Sequence, residues 1–180
     1  MPFFTRQVTT EHDALATFAA QRVAALPEVG AASGLRFGAA SIEGKAVFVN
    51  AVDPVAARQV LAVGDVDGSF ADLTDRGIAV SQRKAEAFGW SVGDVVPIRF
   101  VATGVRPVRV QYIFSETTFG DYFITLGSWN RNFVQQVDTF VFVKLKPGVT
   151  AEAGRAAIEG VLTDYPTVRL RDNAEYRAEQ

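Results

Sequence analysis

Hydrophobic positions along this chain change period in an order that predicts strand, helix, strand, and they do so twice. Phe3-Phe4-Thr5-Arg6-Gln7-Val8 reads as a strand, and Thr10 with Asp13 three residues later resembles a capping box opening a helix. Leu15, Phe18, Val23 and Leu26 recur at roughly helical spacing and form one apolar stripe, which Pro27 ends. Val29 to Phe37 then reads as a broken strand rich in glycine and alanine, and Ala46 to Val52 as a second, more apolar strand.

The far end repeats the pattern. Phe140-Val141-Phe142-Val143-Lys144-Leu145 reads as a strand and Pro147-Gly148 as a turn, and Thr150 is placed to cap a helix that turns Ala157, Ile158, Val161, Leu162 and Tyr165 inward. Pro166 closes that helix as Pro27 closes the first: Leu26-Pro27-Glu28-Val29 and Tyr165-Pro166-Thr167-Val168 each lead into a strand. Two βαβ units separated by a long insertion predict an α+β fold, a split ferredoxin-like sheet with two helices on one face.

Between the units the character changes. Gly64, Gly68, Gly77, Gly89, Gly93, Gly104, Gly120 and Gly127 crowd turn signals together, and Val108-Arg109-Val110-Gln111-Tyr112 alternates as a half-buried strand does. One short helix is expected at Gln82 to Phe88, closed by Gly89 in the left-handed conformation. The expected division is a βαβ lobe of residues 1–55 and 137–180 with an inserted, small β-rich lobe of residues 56–136.

Composition narrows the chemistry. The 180 residues carry 20 acidic and 18 basic side chains for a net charge of −2, scattered along the chain, so no basic stripe is available to a phosphate backbone and nucleic acid is not an expected partner. The absence of cysteine excludes disulfides, thiolate metal sites and a cysteine nucleophile. No stretch approaches the roughly 20 apolar residues of a spanning helix, and Met1 to Arg6 lacks the basic and apolar segments of a signal peptide. If the domain is exported, a segment outside this sequence exports it.

A family resemblance rests on several short segments in order. The run Gly77-Ile78-Ala79-Val80-Ser81, then Lys84-Ala85-Glu86-Ala87-Phe88-Gly89-Trp90, then Val92-Gly93-Asp94-Val95-Val96-Pro97-Ile98 resembles the most recognisable stretch of the MacB-like periplasmic core domains of FtsX-like, type VII ABC transporter permeases. Leu26-Pro27-Glu28-Val29, Val52-Asp53-Pro54 and Val143-Lys144-Leu145-Lys146-Pro147-Gly148-Val149 resemble the flanking segments. Val-Gly-Asp also has a structural reading: Gly93 takes the positive φ of a tight turn while Asp94 bonds neighbouring amides. One departure is Gln111-Tyr112, where the family often has a small residue, so a backbone bulge found there in relatives is not expected here.

The resemblance implies an extracytoplasmic domain between two transmembrane helices of a bacterial permease, with a membrane-proximal, porter-like βαβ lobe and a second, sabre-like lobe. It implies as partners the transmembrane helices of its own permease, a cytoplasmic ATP-binding subunit and a second permease copy. The implied substrate or partner outside the membrane is a protein, peptide or lipid, and some relatives instead activate a cell-wall hydrolase. Apolar runs of about 20 residues are then expected before Phe3 and after Gln180. Asp172-Asn173-Ala174-Glu175 fits a capping box opening a polar helix, either a stalk toward the membrane or a frayed solvent helix.

Candidate chemistry is sparse. The single histidine, His12, has no Gly-x-Ser-x-Gly or comparable nucleophile setting beside it and reads as a surface residue. Asp65, Asp67, Asp72 and Asp75 surround Gly68, but their spacing fails the EF-hand pattern and they read as solvated turns. No P-loop or dinucleotide motif occurs, so any ATPase is another chain; no cofactor is called for and no enzyme activity is expected. Phe119, Tyr122, Phe123, Trp129 and Phe133 lie among glycine and polar residues and have two readings, a small core or an interaction patch. A soluble two-lobed binding module or assembly factor is the alternative to the permease domain.

Overall fold

The computed structural model of the protein describes residues 3–6, 20–165 and 168–171. The fold is α+β, and the chain divides into two compact units: Met1–Arg36, Gln59–Leu61 and Val137–Gln180 form one, Phe37–Arg58 and Ala62–Gln136 the other. Among the described residues no helix is long and apolar enough to cross a membrane.

In the first unit, strands β1 (Phe3–Arg6), β9 (Phe140–Leu145), β10 (Val168–Arg171) and the first part of β2 (Val29–Ile42) lie in the order β10-β1-β9-β2. All three neighbouring pairs are antiparallel. This is the split ferredoxin-like order, in which β9 sits between β1 and β2, so the first and last strands expected from sequence share one sheet. Helix α4 (Ala151–Leu162) supplies Ile158, Val161 and Leu162 to a core with Val141 and Val143. Val23, from helical residues 20–24, joins the same cluster, so both helical segments cover one face of β9. Thr150 caps α4 by accepting from the Ala153 amide at 3.2 Å. The expected capping box at Thr10 and Asp13, and the helix from Asp172, lie outside the described residues.

The second unit is a closed ring of strands. Its members are the second part of β2, β3 (Lys45–Val52), β5 (Gly77–Ser81), β6 (Val95–Phe100), β7 (Gly104–Phe114) and β8 (Tyr122–Thr125). β2 neighbours β3, β3 pairs β8, β8 pairs β5, β5 pairs β7, β7 pairs β6, and β6 returns to β2 through Ala40↔Phe100 to Ile42↔Ile98. Closure leaves no edge within the ring, and alternate residues turn inward to fill it. Ile42, Val49, Ala51, Ile78, Val80, Val96, Ile98, Val108, Val110 and Ile124 are all buried there. Strand β4 (Asp65–Gly68) adds to the end of β7 outside the ring.

Three features differ from the sequence expectation. β2 is continuous over 14 residues rather than broken. Its glycines make room instead of turning the chain: a Cβ at Gly38 would stand 2.9 Å from Trp129 Cη2. Residues Phe37–Arg58 consequently lie in the second unit, although 1–55 was expected in the βαβ lobe, because β2 runs on and its last three residues pair with β6; Gln59–Leu61 return to the first unit. Finally, a bulge is present at Gln111: Ile78 pairs with Val110 and Ala79 with Tyr112, leaving Gln111 unmatched. Its side chain accepts from the Thr74 amide at 2.8 Å and fills the space beside Gly77, so the bulge accommodates a larger residue where the family often has a small one.

Short helices follow their local signals. Helix α2 (Gln82–Phe88) starts at Ser81, whose side chain accepts from the Lys84 amide, and ends at Gly89 with φ 67°. In the turn that follows, Gly93 has φ 104° and Asp94 Oδ2 accepts from the Ser91 amide at 2.8 Å. Asp53 caps helix α1 (Pro54–Val60) by accepting from the Val55 and Ala56 amides, with proline at the first helical position.

Candidate functional site

The aromatic residues singled out from sequence resolve into core. Tyr122, Phe123, Trp129 and Phe133 are buried, and Phe119 is half-buried. Trp129 stacks on Phe133 at 3.8 Å between ring centroids and donates from Nε1 to the Gln135 carbonyl at 2.6 Å. Phe123 packs against Phe70 and Phe114 at 5.7 and 5.4 Å. Four of the five rings therefore offer no face to a partner, a correction to the interaction-patch reading. The physical reason is the ring of strands, whose interior and flank take up these side chains.

The acidic residues near Gly68 do not converge. Asp65 binds Arg58, with Arg58 Nη1 donating to Oδ1 at 2.8 Å, and it accepts a hydrogen bond from the Tyr112 hydroxyl. Asp75 accepts from the Thr125 hydroxyl and pairs with Arg131 at 3.1 Å. Among the described residues no group of three or more His, Asp or Glu side chains could hold a metal. The hydrogen bonds from Arg58 and then Tyr112 hold the Asp65 carboxyl below its usual range. Burial, with the bond to Asp65, pushes the Tyr112 phenol above its own.

Ser81, which ends the most recognisable strand, is buried, and its hydroxyl donates to Asp121 Oδ1 at 2.6 Å. Arg83 binds both Asp121 oxygens at 2.9 and 2.8 Å. Burial works to raise the Asp121 pKa, but the bonds from Ser81 and Arg83 prevail and hold it low. This cluster ties the N-terminus of α2 to the loop before β8; the Ser81 hydroxyl is committed to Asp121 and to the helix cap. His12 lies outside the described residues.

The arrangement most placed to act lies in the first unit, beside two of the four positions where the chain changes unit. Arg36 is the last residue before Phe37, and Asp138 the second residue after Gln136. Arg36 Nε donates to Asp138 Oδ1 at 2.8 Å, and both side chains are over nine-tenths buried. One residue to either side, the Thr139 amide donates to the Leu35 carbonyl at 2.8 Å. A buried guanidinium and carboxylate are held together firmly because separating them leaves a charge in a low-dielectric site. The sequence pattern does not single out this pair; its one signal is a lone charged residue, Arg36, in a strand otherwise of glycine, alanine, serine and apolar residues.

Comparison with known proteins adds the family. The chain matches the model of the MacB-like periplasmic core domain over residues 3–161. It is similar in structure to the periplasmic region of MacB from Actinobacillus actinomycetemcomitans, at 9% identity over 99% of this chain and 91% of that one, with a TM-score of 0.71. It is likewise similar to the extracellular domain of the noncanonic ABC-type transporter YknZ from Gram-positive bacteria, at 12% identity over 96% of this chain and 100% of that one, TM-score 0.67. No curated protein matches.

Proposed function

This chain belongs to the MacB-like periplasmic core domains of ABC transporter permeases, and from that premise we propose that it is a non-catalytic coupling domain, passing ATP-driven motion of transmembrane helices to a substrate or partner outside the membrane. The observation that carries this reading is the buried Arg36–Asp138 pair, which fixes to one another, within the first unit, the chain segments next to two of the four passages, while each unit has its own core. A domain that relays movement needs stiff bodies and defined passages, and closed packing within each unit supplies the first. The partners of the proposal are the transmembrane helices of the same permease, a cytoplasmic ATP-binding subunit and a second permease copy; the cargo is a protein, peptide or lipid.

The test pairs folding with coupling. Arg36→Met with Asp138→Leu removes the charges and keeps the volume, so the isolated domain is expected to melt near the parent. In the intact permease with its ATPase, the same double variant is expected to hydrolyse ATP while transport falls several-fold. Ser81→Ala and Asp94→Ala serve as controls whose activity tracks melting temperature. Transport at the parental rate in the double variant, or loss by orders of magnitude in a control that melts like the parent, defeats the proposal; the second outcome points to a chemical site.

A further inference from the structure

Within the second unit, a groove of about 740 Å³ is lined by three arginines from three different places in the fold: Arg76 just before β5, Arg106 near the start of β7, and Arg131 on helix α3 (Leu126–Asn132). Asp75 supplies the one carboxylate of the lining, so the wall carries three positive charges against one negative, in a chain whose net charge is −2.

The remaining polar groups of the wall are already committed. Thr103 donates to Asn132 Oδ1 at 2.6 Å, and Asn132 Nδ2 donates to the Ser128 carbonyl at 2.8 Å. The Thr74 hydroxyl is engaged by Gln111, whose Nε2 donates to it at 3.0 Å. Arg131 binds Asp75 through Nη1 at 3.1 Å and donates from Nη2 to the Asp75 carbonyl at 3.0 Å, which holds its guanidinium in place. Asp75 is itself fixed by the Thr125 hydroxyl and by the close approach of Gly127, where a Cβ would meet its carboxylate.

What is left uncommitted is the pair Arg76 and Arg106. Neither guanidinium has a hydrogen-bond or ion-pair partner among the described residues, although most described arginines do. Two planar, permanently charged forks opening on one groove, beside a third already oriented, match an oxyanion with several acceptor oxygens, and the net excess of two charges matches a dianion.

We propose that this groove binds a multiply charged phosphate group, a phosphate monoester or diphosphate, between Arg76 and Arg106 with Arg131 at its side. The phosphate can belong to a soluble molecule or to a lipid headgroup, and the test separates the two. The proposal does not depend on the coupling role, because binding is read on the isolated domain.

The isolated domain is titrated with pyrophosphate by calorimetry at fixed ionic strength, with chloride and sulfate for comparison, and tested for co-sedimentation with phosphatidylcholine vesicles with and without phosphatidic acid. Saturable pyrophosphate binding is expected, weakened at least tenfold in Arg76→Gln/Arg106→Gln and partly restored in Arg76→Lys/Arg106→Lys. Arg99→Gln, a substitution outside the groove lining, is expected to leave it unchanged. Pyrophosphate binding without vesicle binding assigns a soluble phosphate; vesicle binding dependent on phosphatidic acid and on Arg76 and Arg106 assigns a lipid. Absence of both, or binding that survives the double glutamine substitution or falls equally in Arg99→Gln, overturns the proposal. Both glutamine positions are solvent-exposed and circular dichroism checks that the variants fold.

Discussion

Gly34 faces the carboxyl of Asp138 so closely that a Cβ there would stand 2.7 Å from Asp138 Cγ and Oδ2. The strand position is small because the carboxylate that binds Arg36 occupies the space a side chain would take. Gly34→Ala is therefore expected to displace Asp138 from Arg36 and to cost about 1–3 kcal/mol. Urea denaturation of the isolated domain measures it, and an unchanged midpoint would mean that the carboxyl has room to move.

Removing one member of the buried pair should hurt more than removing both. Asp138→Leu alone strips the buried guanidinium of its carboxylate, an expected loss of about 3–5 kcal/mol. Adding Arg36→Met should recover most of it. Equilibrium unfolding of the two single variants and the double forms a thermodynamic cycle; additive losses would show that the two side chains do not depend on one another.

The aromatic side chains give a contrast between core and surface. Trp129→Ala and Phe123→Ala are expected to cost about 3–5 kcal/mol each, since both rings are buried in packed clusters. Phe48, 67% exposed and in edge contact with Phe37, should cost less than about 1 kcal/mol as Phe48→Ala. Thermal melts rank them, and a large loss at Phe48 would reverse the assignment.

Alkaline pH should weaken the fold through Tyr122. Burial, with the nearby Asp121 charge, raises its phenol to about 12, and its hydroxyl is buried with no hydrogen-bond partner among the described residues. The folded state thus keeps its proton longer than the unfolded chain, whose tyrosines titrate near 10. Stability is full below about pH 10 and falls as pH rises toward 12; Tyr112 adds a loss of the same sign. Tyr122→Phe should flatten that fall and be near neutral or stabilising at pH 7. Denaturation midpoints from pH 8 to 11 test this, and a steeper decline in the variant would refute it.

What sequence made legible was local. Helix α2 follows from Ser81 and Gly89, α4 from Thr150, and β9 from its own run of aromatic and β-branched residues, because each signal lies within a few residues of the element it shapes. Closure of the ring was not legible, since the contacts that close it join Ile42 to Ile98 and Asn50 to Phe123. The same distance hid Arg36 and Asp138, 102 positions apart. Glycine misleads in both directions: Gly34 lies in a stretch that reads as broken but serves as clearance for Asp138, as Gly38 does for Trp129, and Gly127 obscures a helix that Thr125 caps through the Ser128 amide. At Gln111 the bulge forms with a long side chain in place because its amide group bonds Thr74.

The strand ring has one more consequence. A sheet with a free border can be unzipped, one hydrogen bond at a time, from that border inward. Each strand of this ring has a bonded neighbour on both sides, so pulling on it cannot peel; it must slide a strand lengthwise and break several bonds together. The strand left outside, Asp65–Gly68, is four residues long and carries two carboxylates, so peeling it away leaves the ring closed and gives another chain little to pair with. Under load the second unit therefore moves as one piece, and whatever yields first lies elsewhere in the chain.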